Sequence, residues 1–219
     1  MRYDVGLAMK LRELTRADHA AAQSTGYFDA LLAGRLDPAG YAALAEQLYF
    51  VYEALEEAAE RMRDDPLAGP FVSDELHRLP SLAADLAHLL GPDWKDRISP
   101  NGTTTEYRER LREVAFTWPA GFVAHHYTRY LGDLSGGQIM RRVLRRAYGL
   151  GEAGTSFYAF PDLEPRAFKQ HYRQLLDEAP WDAVEQNRFL DEVSRAYRLN
   201  TAMVDELGRS VLPQRPEAA

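Results

Sequence analysis

Tyr127-Thr128-Arg129-Tyr130-Leu131-Gly132-Asp133-Leu134-Ser135-Gly136-Gly137-Gln138 is the stretch that decides how this chain is read. The residues on either side have helical spacing, yet Gly132, Gly136 and Gly137 fall within six positions. A glycine inside a helix costs about 0.5–1 kcal/mol relative to alanine. Gly132 and Gly136 are i and i+4 and share one face, Gly137 widens the gap, and the run lets the helix bend. The reading is that a flat group lies against this backbone, where any Cβ would intrude. A close helix–helix crossing is the competing explanation. Asp133 stands about 100° round from Gly132, at the edge of the bare face, with Arg129 one turn before it and able to pair with it.

Working outward, apolar spacing is helical almost everywhere. Helices are expected over Val5–Gln23, Tyr27–Ala33, Pro38 to about Arg63, a stretch from Ser73 interrupted near Pro80 and closed at Gly91-Pro92, Thr104–Phe116, Gly121 to about Tyr148, Pro165–Glu178 and Trp181–Leu207. Asp37-Pro38 is a start signal, an N-cap followed by proline at the first helical position. Gly149–Asp162 is the one long loop, and no run alternates with the period of a strand. The fold class is all-α, a single-domain helical bundle over 1–207, with 208–219 a short tail.

Composition narrows the function. The net charge of −7 gives little support to nucleic-acid binding. With no cysteine, disulfides, thiolate nucleophiles and cysteine-ligated metals are excluded. No apolar run of about 18 residues is available to span a membrane, and charges through residues 1–20 argue against a signal peptide, so a cytoplasmic location is expected.

The first helix carries two stripes. Leu7, Leu11, Leu14 and Ala22 lie within about 80° of one another and form a core stripe. Arg12, Arg16, His19 and Gln23 lie within roughly 60° on a second stripe. Arg12 is about 10 Å along the axis from His19 at 1.5 Å per residue. One imidazole with cations at that distance suits an iron whose ligand has anionic groups at its rim, the layout of haem. Gln23, one turn on, can accept from the ring's Nδ1–H. A solvated polar face is the alternative for this helix alone. His77, His88, His125, His126 and His171 read as structural or exposed, and the helix pairs wanted by a di-iron bundle are absent from the sequence.

Taken together, these residues resemble the haem oxygenase family. Tyr127–Gln138 is similar to that family's distal-helix signature, and Thr15-Arg16-Ala17-Asp18-His19 to its proximal helix. Leu48-Tyr49 through Tyr52-Glu53-Ala54-Leu55-Glu56-Glu57, Asp74-Glu75-Leu76-His77-Arg78, and Phe157-Tyr158 through Phe160-Pro161 to Phe168-Lys169-Gln170 agree in order and spacing, so the likeness runs over about residues 7 to 207. The resemblance implies haem b held between the first helix and a bent glycine helix, serving as both substrate and prosthetic group. His19 would be the iron ligand, and Gly132 and Gly136 would face the ring. Asp133 would hold a water network around dioxygen, the co-substrate, with Arg129, Tyr52, Tyr107 and Asn200 as members. Arg12, Arg16, Tyr127, Lys169 and Arg173 match positions around the propionates.

The implied reaction is oxidative cleavage of haem to biliverdin, carbon monoxide and ferrous iron, with IXα the family's default isomer. A haem carrier or sensor that leaves its ligand intact is the alternative, and a haem-free helical enzyme of similar fold a third. The chain departs from many relatives at Gln23, where a carboxylate is common, and at Val204, where an aromatic is often found. Electrons must come from a separate reductase, because no strand-preceded GxGxxG is present. Arg141, Arg142, Arg145 and Arg146 form a basic cluster suited to an acidic ferredoxin- or flavodoxin-type donor.

Overall fold

In the computed structural model, which describes residues 6–212, ten α-helices and short 3₁₀ turns build the protein, with no strand among the described residues. The helices are α1 (Leu7–Leu14), α2 (Arg16–Gln23), α3 (Gly26–Leu32), α4 (Pro38–Met62), α5 (Leu79–Leu90), α6 (Gly102–Val114), α7 (Pro119–His126), α8 (Gly137–Ala147), α9 (Pro165–Glu178) and α10 (Ala183–Val211). Their start signals are in the sequence. Asp37 accepts from Gly40 N at 2.8 Å with Pro38 in the first turn, Asn101 caps α6 through Thr104 N at 2.7 Å, and Glu164 and Asp182 cap α9 and α10.

The long helices α4 and α10 are the frame. Helices α5, α6 and α7 pack on α4, while α6, α7, α2 and α3 pack on α10. Large side chains fill the space between, among them Tyr27, Tyr52, Tyr107, Tyr130, Phe122 and Phe189, all essentially without solvent contact. Each such ring removes enough apolar surface from water to contribute about 1.5–3 kcal/mol.

Three differences from the sequence expectation bear on function. First, the helix expected over Val5–Gln23 is interrupted at Thr15 (φ −91°, ψ 6°), whose hydroxyl bonds the Leu11 carbonyl at 2.7 Å; Val5 itself lies outside the described residues. Such back-bonding bends helices. The bend buries Thr15 and turns Leu14 out to solvent, 62% exposed, so Leu14 leaves the core stripe that Leu7, Leu11 and Ala22 keep.

Second, the helix expected from Gly121 to Tyr148 is three segments. Residues Tyr127–Leu131 form a π-helical turn, Leu134–Gly136 a turn, and α8 begins at Gly137. Wide turns and glycines are the usual sites of sharp bends. Third, α10 continues through Gly208 to Val211, packing Gly208 against Tyr27, so the first four residues of the expected tail are helical. Residues 213–219 lie outside the described ones.

Candidate functional site

Two adjoining cavities, ≈ 410 and ≈ 400 Å³, share His19, Gly132 and Tyr197 in their walls and form one slot between α2 and the glycine bend. The larger is mostly apolar, with Phe28, Leu44, Leu48, Met140 and Val204 beside Gln23, Gly136, Arg129, Asp133 and Asn200. The smaller holds the charge: Arg12, Arg16, Lys169 and Arg173 with Tyr127 and Ser135. The residues expected to act together therefore meet, although Arg12 sits before the Thr15 bend and the others of its stripe after it.

The glycines divide into two kinds. A Cβ on Gly132 would meet no heavy atom within 4 Å, and one on Gly136 only the Gly132 carbonyl at 3.7 Å. Their bare faces open into the slot. Gly132 has ordinary right-handed backbone (φ −62°, ψ −49°), so no strain demands a glycine there. The space itself is the reason for it. Gly137 does something else: a Cβ there would lie 2.7 Å from the Tyr158 ring. It admits Tyr158 from the 3₁₀ turn Ser156–Tyr158, inside what the sequence left as a loop.

Below the bare face lies a buried polar cluster. Tyr52 Oη donates to Asp133 Oδ2, Arg129 Nε donates to Tyr52 Oη at 3.3 Å, Arg129 Nη1 donates to Asn200 Oδ1, and Arg129 Nη2 lies 3.6 Å from Asp133 Oδ1. Burial pushes the Asp133 carboxyl above its usual range, opposed by the Arg129 charge and the Tyr52 bond. Burial pushes Arg129 down, but Tyr52 and Asp133 outweigh it and hold the guanidinium charged. Tyr107 is fully buried beside them, and its hydroxyl has no partner among the described residues; burial pushes its pKa up to about 12, so it stays a donor. A buried donor left without a partner costs free energy unless something pairs with it.

The opposite wall is barer. The His19 side chain is exposed to the slot, touches the edge of Tyr197 (centroids 5.8 Å apart, 80° between planes) and makes no hydrogen bond among the described residues. The expected bond from His19 to Gln23 is not formed; Gln23, the last residue of α2, lines the same cavity. Tyr197 escaped the sequence reading. Its signal was present, since Tyr197, Asn200 and Val204 are i, i+3 and i+7 on one helix face. At the charged end Lys169 Nζ donates to Ser135 Oγ at 3.1 Å, and the cations Arg173 and Arg12 draw down the pKa of Tyr127, which burial raises.

Of the other histidines, His125 and His126 are buried and structural. His125 Nε2 pairs with Glu192 Oε1 at 2.9 Å and His126 Nδ1 with Tyr172 Oη at 3.0 Å. Glu192 also receives a two-pronged ion pair from Arg110, with contacts of 2.9 and 2.5 Å.

A slot with a bare backbone floor, a free imidazole above it and four cations at one end fits a flat macrocycle carrying a metal and paired carboxylates. Comparison with known proteins agrees. Residues 5–206 match the family model described as "Heme oxygenase". "Heme oxygenase 1" of Synechocystis sp. is 39% identical over 204 residues, which are 93% of this chain and 85% of that protein. The "Heme oxygenase" of Porphyra purpurea is 39% identical over 208 residues, 94% and 88% of the two chains. The crystal structure of heme oxygenase-1 from Synechocystis sp. in complex with heme superposes with a TM-score of 0.90 at 38% identity, covering 95% of each chain. The heme oxygenase structure from Leptospira interrogans gives 0.87 at 38% identity, covering 92% of this chain and all of that one. The chain belongs to the haem oxygenase family.

Proposed function

We propose that this protein carries out its family's reaction, cleaving haem with dioxygen and reducing equivalents to biliverdin, carbon monoxide and ferrous iron. The observation that carries this reading is the open backbone face of Gly132 and Gly136 across the slot from the free imidazole of His19. Haem, once bound, supplies the iron that activates dioxygen and the ring that is opened.

The chain's own residues supply the rest. His19, exposed to the slot, would hold the iron. Arg12, Arg16, Lys169 and Arg173, with the Tyr127 hydroxyl, hold the two propionates and so fix the ring's rotation in the slot. Gly132 and Gly136 would let a flat ring lie close to the backbone and leave open space beside it. Asp133, clamped between Tyr52 and Arg129, cannot swing toward the ring, so it passes protons through water held beside it and by Tyr107 and Asn200.

Electrons arrive from an acidic ferredoxin- or flavodoxin-type protein docked at the basic end of α8. Arg142, Arg145 and Arg146 are exposed there and form no ion pair among the described residues, while Arg141 is half-buried. No helix of the described residues is long and apolar enough to cross a membrane.

The test is to add hemin, record the Soret band, and then supply ascorbate or a ferredoxin–reductase pair in air. Loss of the Soret band with growth of a biliverdin band and release of carbon monoxide is the expected result. A Soret band that persists under reductant and air contradicts it and makes the protein a carrier.

A further inference from the structure

The charged end of the slot is shared between two helices that pack on one another: Arg12 comes from α1, and Lys169 and Arg173 from α9. None of these three cations forms an ion pair among the described residues. Like charges lining one cavity repel, so this end of the slot pushes its own walls apart.

Helix α1 has little of its own with which to resist. It is eight residues long, well short of what an isolated helix needs, and only Leu7 and Leu11 are buried. Gly6 stands at its N-cap, so no local side chain accepts from the first amides, and its first turn holds no acidic residue. The missing acceptor comes from α9. Asp177 Oδ1 accepts from Ala8 N at 2.8 Å, 169 positions away in the chain. A carboxylate at a helix N-terminus both pairs the amide and meets the positive end of the dipole. Gly6 is what admits it, because a Cβ there would lie 2.5 Å from that same oxygen.

The bond sits one turn from the cavity's cations on both helices. Lys169, Arg173 and Asp177 are successive i, i+4 neighbours along one side of α9. Ala8 and Arg12 are i and i+4 on α1, and both line the cavity. We propose that Asp177 is a positioning residue for carboxylate binding: it pins the start of α1 to α9 and so sets the separation of Arg12 from Arg173. It touches no ligand itself. The proposal rests on the reading above that this end of the slot takes haem's propionates. Its sign is distinctive, since the Asp177 charge by itself disfavours a nearby anion, and only its geometric hold on α1 favours one.

Spectral titration with hemin and with hemin dimethyl ester, whose carboxylates are masked, tests it in the full chain. Asp177 is exposed, so its replacement leaves the core untouched. Asp177→Ala should weaken hemin roughly five-fold, the size of a lost cap, and leave the ester unchanged. Asp177→Asn keeps the acceptor without the charge and should bind hemin as tightly as the wild type or more so. Gly6→Ala displaces the carboxylate from Ala8 N without altering any charge, and should match Asp177→Ala. Amide hydrogen exchange of the haem-free protein gives a reading without ligand: exchange at Ala8 and along α1 should quicken in Asp177→Ala and stay near wild type in Asp177→Asn. Tighter hemin binding by Asp177→Ala, equal losses for hemin and ester, or unchanged exchange in α1 would each overturn the proposal. A wild type that prefers hemin to its ester, with Asp177→Ala preferring it equally, overturns the proposal alone. A wild type that binds the two alike overturns the propionate reading and the proposal with it.

Discussion

The two walls of the slot are built in opposite ways. On the glycine side, Asp133 is held by Tyr52 and Arg129, Arg129 by Asn200, and Tyr158 sits against Gly137 with its carbonyl accepting from Gln138 Nε2. On the α2 side, His19 meets one aromatic edge, and among the described residues neither its side chain nor that of Gln23 makes a hydrogen bond. Satisfied buried polar networks are rigid, and a single imidazole on a short helix after a bend is not. The difference teaches where the precision of the site resides. On the proposed reading, the Asp133 wall is largely held in place before haem binds, while the His19 wall would be fixed only when iron is bound.

The largest expected effect breaks the bare wall. His19→Ala removes the proposed iron ligand; haem turnover should vanish, while the melting curve of the haem-free protein stays close to wild type because His19 makes no hydrogen bond among the described residues. The absorption spectrum of the hemin complex checks it, since loss of the axial nitrogen must change the Soret band. Asp133→Asn strikes the other wall. It keeps the shape and the Tyr52 contact but removes the proton-holding group, and turnover should fall roughly 10²–10⁴-fold. Hemin affinity, measured by titration, should change far less. A variant with wild-type turnover would sink the water network.

The glycines sharpen the comparison, because neighbours in sequence should respond with opposite sign. Gly132→Ala adds a Cβ into open slot on ordinary helical backbone, so the haem-free protein should gain up to about 1 kcal/mol while hemin binds less tightly. Gly137→Ala drives a methyl into the Tyr158 ring and should lose about 1–3 kcal/mol. Denaturant melts with and without hemin separate the two.

Behind the complete wall, Glu192 ties His125 to Arg110. Burial pushes its carboxyl up, but the Arg110 and His125 bonds prevail and hold it at about 2. A carboxylate depressed in the folded state adds stability above its ordinary range, lost as pH falls through the folded value. The wild type should therefore lose Tm between about pH 4.5 and 2 more steeply than Glu192→Gln, which is already lower at pH 7; thermal melts across that range check it. The smallest effect is at the surface. Arg142→Glu with Arg145→Glu should slow reductase-driven turnover several-fold and flatten its salt dependence, leaving ascorbate-driven turnover unchanged.

Much of this was legible in the chain. Helix starts at Asp37-Pro38 and Glu164-Pro165 announce themselves through capping chemistry, and glycines at i and i+4 beside Asp133 state their purpose through their cost. What escaped reading did so for physical reasons. The Thr15 bend comes from a hydroxyl bonding back to Leu11, which leaves the apolar spacing almost intact, so Leu14 looked buried. The wide turn at Tyr127–Leu131 also leaves no mark on periodicity. Gly137 looked like its two neighbours because its partner, Tyr158, arrives from a loop some twenty residues on. Tyr197 sat one turn from Asn200 and could have been found by following that face.

A crystal structure of the hemin complex, set beside that of the haem-free protein, tests the two-wall account most directly. The account predicts iron bound to His19, the ring lying on Gly132 and Gly136, α2 shifted between the two structures, and the Tyr52–Asp133–Arg129–Asn200 bonds unchanged. Iron bound through another side chain, or a polar cluster that assembles only when haem arrives, would contradict it.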